Sequence, residues 1–381
     1  MSKIKILHIV RNHYFFKTTL LQFGQDSLLK NDFILYTKNT NIIQSFNEEA
    51  AVKIFKQKKQ LISFINSMNY DIIYFHTVMP YLYNVISNIN HGPKVVWWAW
   101  GADLYYKYGF LKPMIKVELY KPVTKRYIFN KGLTLSHWIR FCLKDIISLY
   151  YLAFKNKAFQ RITHIQTVTQ LEYDILKNNP ICKHFNRFYA PAKNFSLKFK
   201  YHPAGNMIIG NSASATNNHA DIIIALSKLN NIRKREVFIP LSYGDKKYTK
   251  YIKEIISKTE KKSEYFNYKV IENFIPYNAY ESIFASCSHA IFGVVRQQAM
   301  GNINLCFLYG IKVFFYKNSI LYKNFLKLGY IIFAIDDQLN KKELDSPLSY
   351  EQAAHNFNLY INGLKKERSI YESLVRNLSV I

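Results

Sequence analysis

Three short polar stretches, each lying between an apolar run and a helical pattern, hold the side chains best suited to grip a phosphorylated ligand. The first is Gly210-Asn211-Ser212-Ala213-Ser214-Ala215-Thr216-Asn217-Asn218-His219. Apolar residues 207–209 lead into it, and a helical pattern (Ile222, Ile223, Ala225, Leu226, Leu229) leads out. A strand-to-helix turn at the carboxyl edge of a parallel sheet presents backbone N–H groups and the positive end of a helix dipole. Hydroxyls and amides suit it, because they donate to phosphate oxygens without adding negative charge. Gly210, Asn211, Ser212, Ser214, Thr216, Asn217 and His219 are therefore candidate ligand contacts. The competing reading is a Ser/Asn-rich helix cap with no ligand.

The second stretch is Pro240-Leu241-Ser242-Tyr243-Gly244-Asp245, followed by Tyr248. Gly244 permits a tight turn, and Tyr243 or Tyr248 could stack on a base or bond a phosphate. The third, Arg296-Gln297-Gln298-Ala299-Met300-Gly301-Asn302, follows the apolar run 290–295. Arg296, Gln297, Gln298 and Asn302 are poor core residues and good partners for hydroxyls and phosphates.

The first half offers candidates of another kind. Asp103 lies in Trp100-Gly101-Ala102-Asp103 after an apolar run, where a carboxylate can serve as a general base or cap a helix. His13 and His76 each follow a predicted strand, the second choices for the same role. Among motifs, there is no G-x-G-x-x-G, no G-x-x-x-x-G-K-[ST] and no D-x-D. The expectation is an enzyme with no resident cofactor and no metal, which must neutralise a leaving group with helix N-termini, Arg296 and hydrogen-bond donors.

These stretches need a scaffold, and the periodicity describes one. Apolar runs at 4–10, 32–36, 71–75 and 94–98 alternate with helical patterns, and 164–168 adds another. A second alternating series follows at 207–209, 236–241, 269–271, 290–295, 312–316 and 331–334. Such alternation predicts parallel, doubly wound sheets. The Pro-bearing, non-periodic 189–205 reads as the linker. The expected division is 1–195, 206–349, and a closing helix 350–381 that packs back on the first domain. Two Rossmann-like α/β domains facing a cleft constitute the GT-B architecture of glycosyltransferases.

The 381 residues include 52 basic and 25 acidic ones, a formal net charge of +27 that calls for an anionic partner. Cys142, Cys182, Cys287 and Cys306 show no paired spacing and read as reduced core residues. Residues 1–10 read as a first buried strand, and no apolar run reaches the length of a membrane span. Residues 110–161 are basic and aromatic, with only Glu118 and Asp145 opposing Lys112, Lys116, Lys144, Lys157 and others. A basic amphipathic face edged by Phe110, Trp138, Tyr150 and Phe154 suits the headgroup region of an anionic membrane, although a solvated helix face is the plainer reading. A nucleic-acid-binding protein is the rival from another class. It finds no helix-turn-helix, RRM or zinc signature, so no nucleic-acid partner is expected.

Several blocks together resemble a known family. Trp100-Gly101-Ala102-Asp103-Leu104-Tyr105, Gly210-Asn211-Ser212 with Asn217 and His219, Ser242-Tyr243-Gly244 with Tyr248, Ile275-Pro276 to Tyr280, and Arg296-Gln297-Gln298 with Gly301 are similar to glycosyltransferase family 56, the 4-alpha-L-fucosyltransferases. The pattern departs from that family at Ala213-Ser214, where the family continues with Gly and Asp, and at Ala299, where it has a glycine. The resemblance implies transfer of 4-acetamido-4,6-dideoxygalactose (Fuc4NAc) from a TDP-sugar to an undecaprenyl-diphosphate-linked disaccharide, lipid II of enterobacterial common antigen synthesis. It also implies a peripheral enzyme at the cytoplasmic face of the bacterial inner membrane. A GT-B enzyme with another nucleotide-sugar and another lipid-linked or lipopolysaccharide acceptor is the alternative.

Overall fold

The computed structural model describes residues 3–24, 26–46, 52–132, 135–191, 197–202, 204–261 and 264–379; the side chains of 14–15, 131–132, 135–141 and 376–379 fall outside it. Lys131, Trp138, Ile139, Arg140 and Phe141 of the basic stretch are thus outside the described side chains, as are 192–196 and 203 of the expected linker. The chain forms two compact units: Met1–Lys116 with Trp138–Asn194 and Leu364–Ile381, and Val117–His137 with Phe195–Gly363.

The first unit is built on β1 (Ile4–Val10), β2 (Leu29–Tyr36), β3 (Val52–Phe55), β4 (Ile72–Phe75), β5 (Lys94–Trp98), β6 (His164–Gln166) and β7 (Asn186–Arg187). These lie in the order β3-β2-β1-β4-β5-β6-β7, all pairs parallel. Covered on both faces, the central strands read as continuous apolar runs, with β4 buried throughout. Strand β3 escapes such a reading, because it is an edge strand with Lys53 and Ile54 exposed. The two-residue β7, at the other edge, is too short for any periodicity.

The second unit repeats the topology with β8 (Asn206–Ile209), β9 (Arg235–Pro240), β10 (Phe266–Ile271), β11 (Cys287–Phe292), β12 (Lys312–Phe315) and β13 (Phe333–Ala334), ordered β10-β9-β8-β11-β12-β13 and parallel. Its two faces bury separate clusters. One gathers Met207, Ile209, Val237, Ile222 and Ile252, the other Ile208, Phe292, Val313, Ile303 and Phe325. Strand β11 starts three residues before the apolar run, since its polar Ser288 and His289 are buried and bonded: Ser288 Oγ lies 2.7 Å from His289 Nδ1. In each sheet the strand order reverses between two neighbours, β1/β4 and β8/β11, and the loops after those strands are where such sheets place ligands.

Residues 117–132, expected in a first domain running from 1 to 195, cluster with the second unit instead. Hydrogen bonding explains the transfer. Asp221, in the helix His219–Leu226, accepts from Val123 N at 2.8 Å and Thr124 N at 3.0 Å, capping the helix Pro122–Gly132 from outside. Tyr127 then stacks on Tyr251 with centroids 4.3 Å apart. The closing helix Tyr350–Ser379 starts in the second unit and from Leu364 belongs to the first, where Tyr371 donates to Asp26 Oδ2 at 2.7 Å.

Candidate functional site at the carboxyl edge of the second sheet

Strand β8 ends at Gly210, whose φ is +67°. A Cβ there would lie 2.3 Å from His219 Nε2 and 3.2 Å from Asn217 Oδ1, so only glycine lets the chain turn over these two side chains. The loop then folds upon itself. Asn217 Nδ2 donates to Ser212 O at 3.0 Å, and Ala213 N donates to Tyr243 O at 2.8 Å, tying the first turn to the second. Gly244 closes that seam with φ +123°; a Cβ would meet Ala213 O at 2.6 Å.

Four polar side chains from all three stretches join in one chain of hydrogen bonds. Asn211 Nδ2 donates to Tyr243 OH at 2.9 Å, Gln298 Nε2 donates to Asn211 Oδ1 at 3.0 Å, and Thr216 Oγ1 donates to Gln298 Oε1 at 2.7 Å. Ser214 Oγ lies 2.8 Å from Thr216 Oγ1. Asn302 Nδ2 donates to Tyr280 OH at 2.8 Å, and Arg296 Nη1 donates to Gln297 O at 2.7 Å. The helix Met300–Tyr309 opens two residues after Gln298, with Ala299 as its N-cap, so its first-turn N–H groups and the positive end of its dipole lie close to this network. Beside the 241–244 turn a cavity of about 1000 Å³ opens, lined by Ser242, Tyr243, Lys246, Lys250 and Lys253 among others.

The structure divides the expected contacts into two sets. Asn211, Ser214, Arg296, Gln298 and Asn302 are partly exposed, and Tyr243 is exposed, so a ligand can reach them. Ser212, Thr216, Asn217, His219, Tyr248 and Gln297 are buried. His219 is a correction to the expected phosphate contact: burial drives its pKa down to about 3, keeping it neutral beneath Gly210. Tyr248 is another, since its ring lies in a core cluster with Tyr127 and His219.

Asn218, which its residue type alone does not mark as a contact, ties this loop to its neighbours. Asn218 adopts a left-handed conformation (φ 52°), and its side chain links three segments: Nδ2 donates to Gly293 O at 2.7 Å and Leu119 O at 3.1 Å, while Oδ1 accepts from Lys121 N at 2.8 Å. Asparagine tolerates that backbone better than most residues, and the Asn-Asn pair before a helical pattern was the available signal.

The first unit treats its candidates differently. Asp103 is half-buried, and its carboxylate accepts four hydrogen bonds: Oδ2 from Trp97 Nε1 (2.7 Å), Val78 N (3.1 Å) and Thr77 Oγ1 (3.1 Å), Oδ1 from Trp100 N (2.7 Å). The bond to Trp100 N caps the short helix Gly101–Tyr105. Burial pushes the carboxyl up to about 6, against the lowering effect of the Trp97 and backbone donors. His76 is a correction. It is fully buried and bonded within a polar chain in which His8 Nε2 lies 3.0 Å from Asn31 Oδ1, His8 Nδ1 3.1 Å from His76 Nε2, and His76 Nδ1 3.3 Å from Thr19 Oγ1. Burial holds its pKa well below the usual value, and an acceptor hydroxyl cannot reach it. His13 stands half-buried at the start of the helix His13–Phe23, against Phe46, at the carboxyl end of β1.

Comparison with known proteins agrees with this topology. No curated protein matches the sequence. Among solved structures, Alr3699/HepE of Anabaena in complex with UDP and glucose is 11% identical, with a TM-score of 0.59, over 99% of this chain and 100% of that one. The N-terminal domain of Candida albicans trehalose-6-phosphate phosphatase gives 0.60 at 7% identity over 98% and 97%. A glycosyltransferase from Rickettsia africae ESF-5 gives 0.51 at 12% over 99% and 94%. At these identities the likeness speaks for the fold, which is GT-B. The glycosyl transferase 4-like family matches residues 32–130. Residues 144–352, over half of the chain and all three polar turns, match the family described as 4-alpha-L-fucosyltransferase glycosyl transferase group 56, and the chain belongs to that glycosyltransferase family.

Proposed function

We propose that this glycosyltransferase moves a 4-acetamido-4,6-dideoxyhexose (Fuc4NAc) from a TDP-sugar to an undecaprenyl-diphosphate-linked saccharide, in enterobacterial common antigen-type or related surface polysaccharide synthesis. The observation that carries the donor half of this reading is the hydrogen-bonded chain Tyr243–Asn211–Gln298–Thr216, which joins three loops at the switch point of the second sheet. Asn211, Ser214, Gln298 and Asn302 offer amide and hydroxyl donors to a diphosphate. Arg296 and the N-terminus of the helix Met300–Tyr309 supply positive potential as the leaving group gains charge. Tyr243 and the adjoining cavity suit a nucleobase.

In the transfer, the acceptor hydroxyl oxygen bonds to the anomeric carbon while the bond from that carbon to the diphosphate oxygen breaks. The hydroxyl proton passes to a general base, and the electron pair leaves with the nucleoside diphosphate. Asp103 is the carboxylate we assign to this role, through Oδ1, which bears one donor against three on Oδ2. A carboxyl raised to about 6 retains more basicity than an ordinary aspartate. His13 is the alternative base. A lipid-linked acceptor assigns the work to the cytoplasmic face of the inner membrane.

Thermal shift against TDP, UDP, GDP and CMP, with and without magnesium, tests the donor. Nucleotide at about 100 times its Kd stabilises the fold by about 2.7 kcal/mol. A shift with TDP alone, lost in Gln298→Ala, supports the reading; preference for another nucleotide discards the donor. For the base, Asp103→Asn should abolish transfer while retaining the TDP shift, and near-normal turnover would remove Asp103 from the role.

A further inference from the structure

The helix Leu135–Arg161, which belongs to the first unit from Trp138 onward, leaves an apolar face uncovered among the described residues. Its inner side is closed: Ser148, Ala158 and Phe159 are buried, and Ser148 Oγ accepts from Phe110 N at 2.9 Å. Its outer side is the reverse. Leu143, Ile146, Ile147 and Tyr150 follow i, i+3, i+4, i+7 spacing and are all exposed, Ile146 by 66%. Leu149, at 55%, widens the stripe, and Phe110, at 53%, stands exposed in the loop seated against Ser148. Isolated exposed apolar residues are common, but a contiguous stripe along a helix marks a surface that meets something.

The charge around the stripe identifies the occupant. Lys58 donates to Tyr150 OH at 2.9 Å, so segment 52–60 borders the helix on one side as 106–116 does at Ser148. Segments 52–60, 106–116 and 142–161 together carry many lysines and a single acidic residue, Asp145. A protein partner with an apolar patch would not require this one-sided charge, whereas an anionic bilayer offers both an apolar layer and a negative surface. Among the described residues no helix is long and apolar enough to cross a membrane.

We infer that the Leu143–Tyr150 face of this helix, with Phe110, inserts into the headgroup and upper acyl region of an anionic bilayer, and that the surrounding lysines dock on lipid phosphates. The chain then lies on the membrane by apolar insertion as well as Coulombic attraction. This surface deepens the proposed lipid-linked acceptor and rests on that reading for its purpose.

The test sediments the full chain with phosphatidylcholine vesicles and with vesicles containing phosphatidylglycerol, at low salt and at about 0.5 M salt, where the Debye length falls to about 4 Å. Wild type should bind the phosphatidylglycerol vesicles and retain part of that binding at high salt. The double variant Ile146→Ser, Leu149→Ser should lower the bound fraction roughly tenfold in both. Lys112→Ser with Lys144→Ser should weaken only the low-salt binding. Wild-type failure to bind, or a double variant that binds like wild type, overturns the inference. So does a dimer by ultracentrifugation that the double variant converts to monomer without lipid binding, which would make the stripe a contact between copies. Each protein is also scored for its TDP shift. Lost vesicle binding with an intact shift sinks the docking surface alone, and the opposite outcome sinks the donor reading alone.

Discussion

The two sheets share a strand order, and both place polar side chains at their carboxyl edges, but they use them in opposite ways. In the first unit Asp103 caps the helix Gly101–Tyr105 and Glu172 caps the helix Gln170–Lys177, the latter also accepting from Tyr105 OH at 2.5 Å. Both carboxyls are pushed upward by burial. In the second unit the polar groups bond side chain to side chain across three loops and keep edges exposed. The lesson is that a polar residue after a strand has two fates. A backbone that needs its lone pairs fixes its position, as at Asp103 and Glu172, and a loop held by its own backbone bonds leaves the polar edge open to a ligand.

The strongest way to break this comparison is paired truncation. Asp103→Ala strands four donors in a half-buried site and should cost about 3 kcal/mol of stability in urea unfolding. Gln298→Ala removes two partly exposed bonds and should cost under about 1 kcal/mol, yet abolish the nucleotide shift. Equal stability losses would erase the distinction. Next, Gly210→Ala forces a Cβ against His219 and a left-handed backbone, for about 3 kcal/mol. Gly301→Ala, in a helix and with no atom within 4 Å of its Cβ, should cost nothing and stabilise by about 0.5 kcal/mol.

Acid sharpens the contrast through opposite signs. His219 has a folded pKa near 3 against 6.5, so only the unfolded chain takes up its proton between those values. Its stabilising contribution, complete above pH 6.5, declines as pH falls, by about 2 kcal/mol between pH 7 and pH 5. His8, near 4, acts likewise in the first unit. Asp103, raised from 3.8 to about 6, is the reverse: the folded state takes the proton first, and stability is regained as pH falls through 6 toward 3.8. Thermal melts at pH 7 and pH 5 should show His219→Gln flattening the acid loss and Asp103→Asn steepening it. Another small effect belongs to Ala299, the N-cap of the helix Met300–Tyr309, with φ +64°. Ala299→Gly should stabilise by about 1 kcal/mol, as measured by denaturant midpoint, and a loss instead would show that the methyl group packs usefully.

Much of the frame could be read without coordinates. The bounds 4–10 and 94–98 coincide with β1 and β5, because a strand covered on both faces is apolar over most of its length, Lys5, His8 and Lys94 being the exceptions here. Edge strands β3 and β7 lack that requirement and left little trace. The three polar turns were legible as site candidates, since glycine with amides and hydroxyls after an apolar run is a local pattern. Their division into reachable Asn211 and Gln298 and buried Asn217 and His219 was not.

By itself, then, the sequence determined the alternation of strands and helices, the placing of the polar turns, and the charge. Tertiary structure alone decided that 117–132 joins the second unit, through backbone N–H groups that needed Asp221. It alone decided that His76 would pair with His8 in the core and that Ile146 would face outward. Periodicity reports which residues share a face, but whether that face is covered, and which distant group meets a lone pair, depends on contacts between segments far apart in the chain.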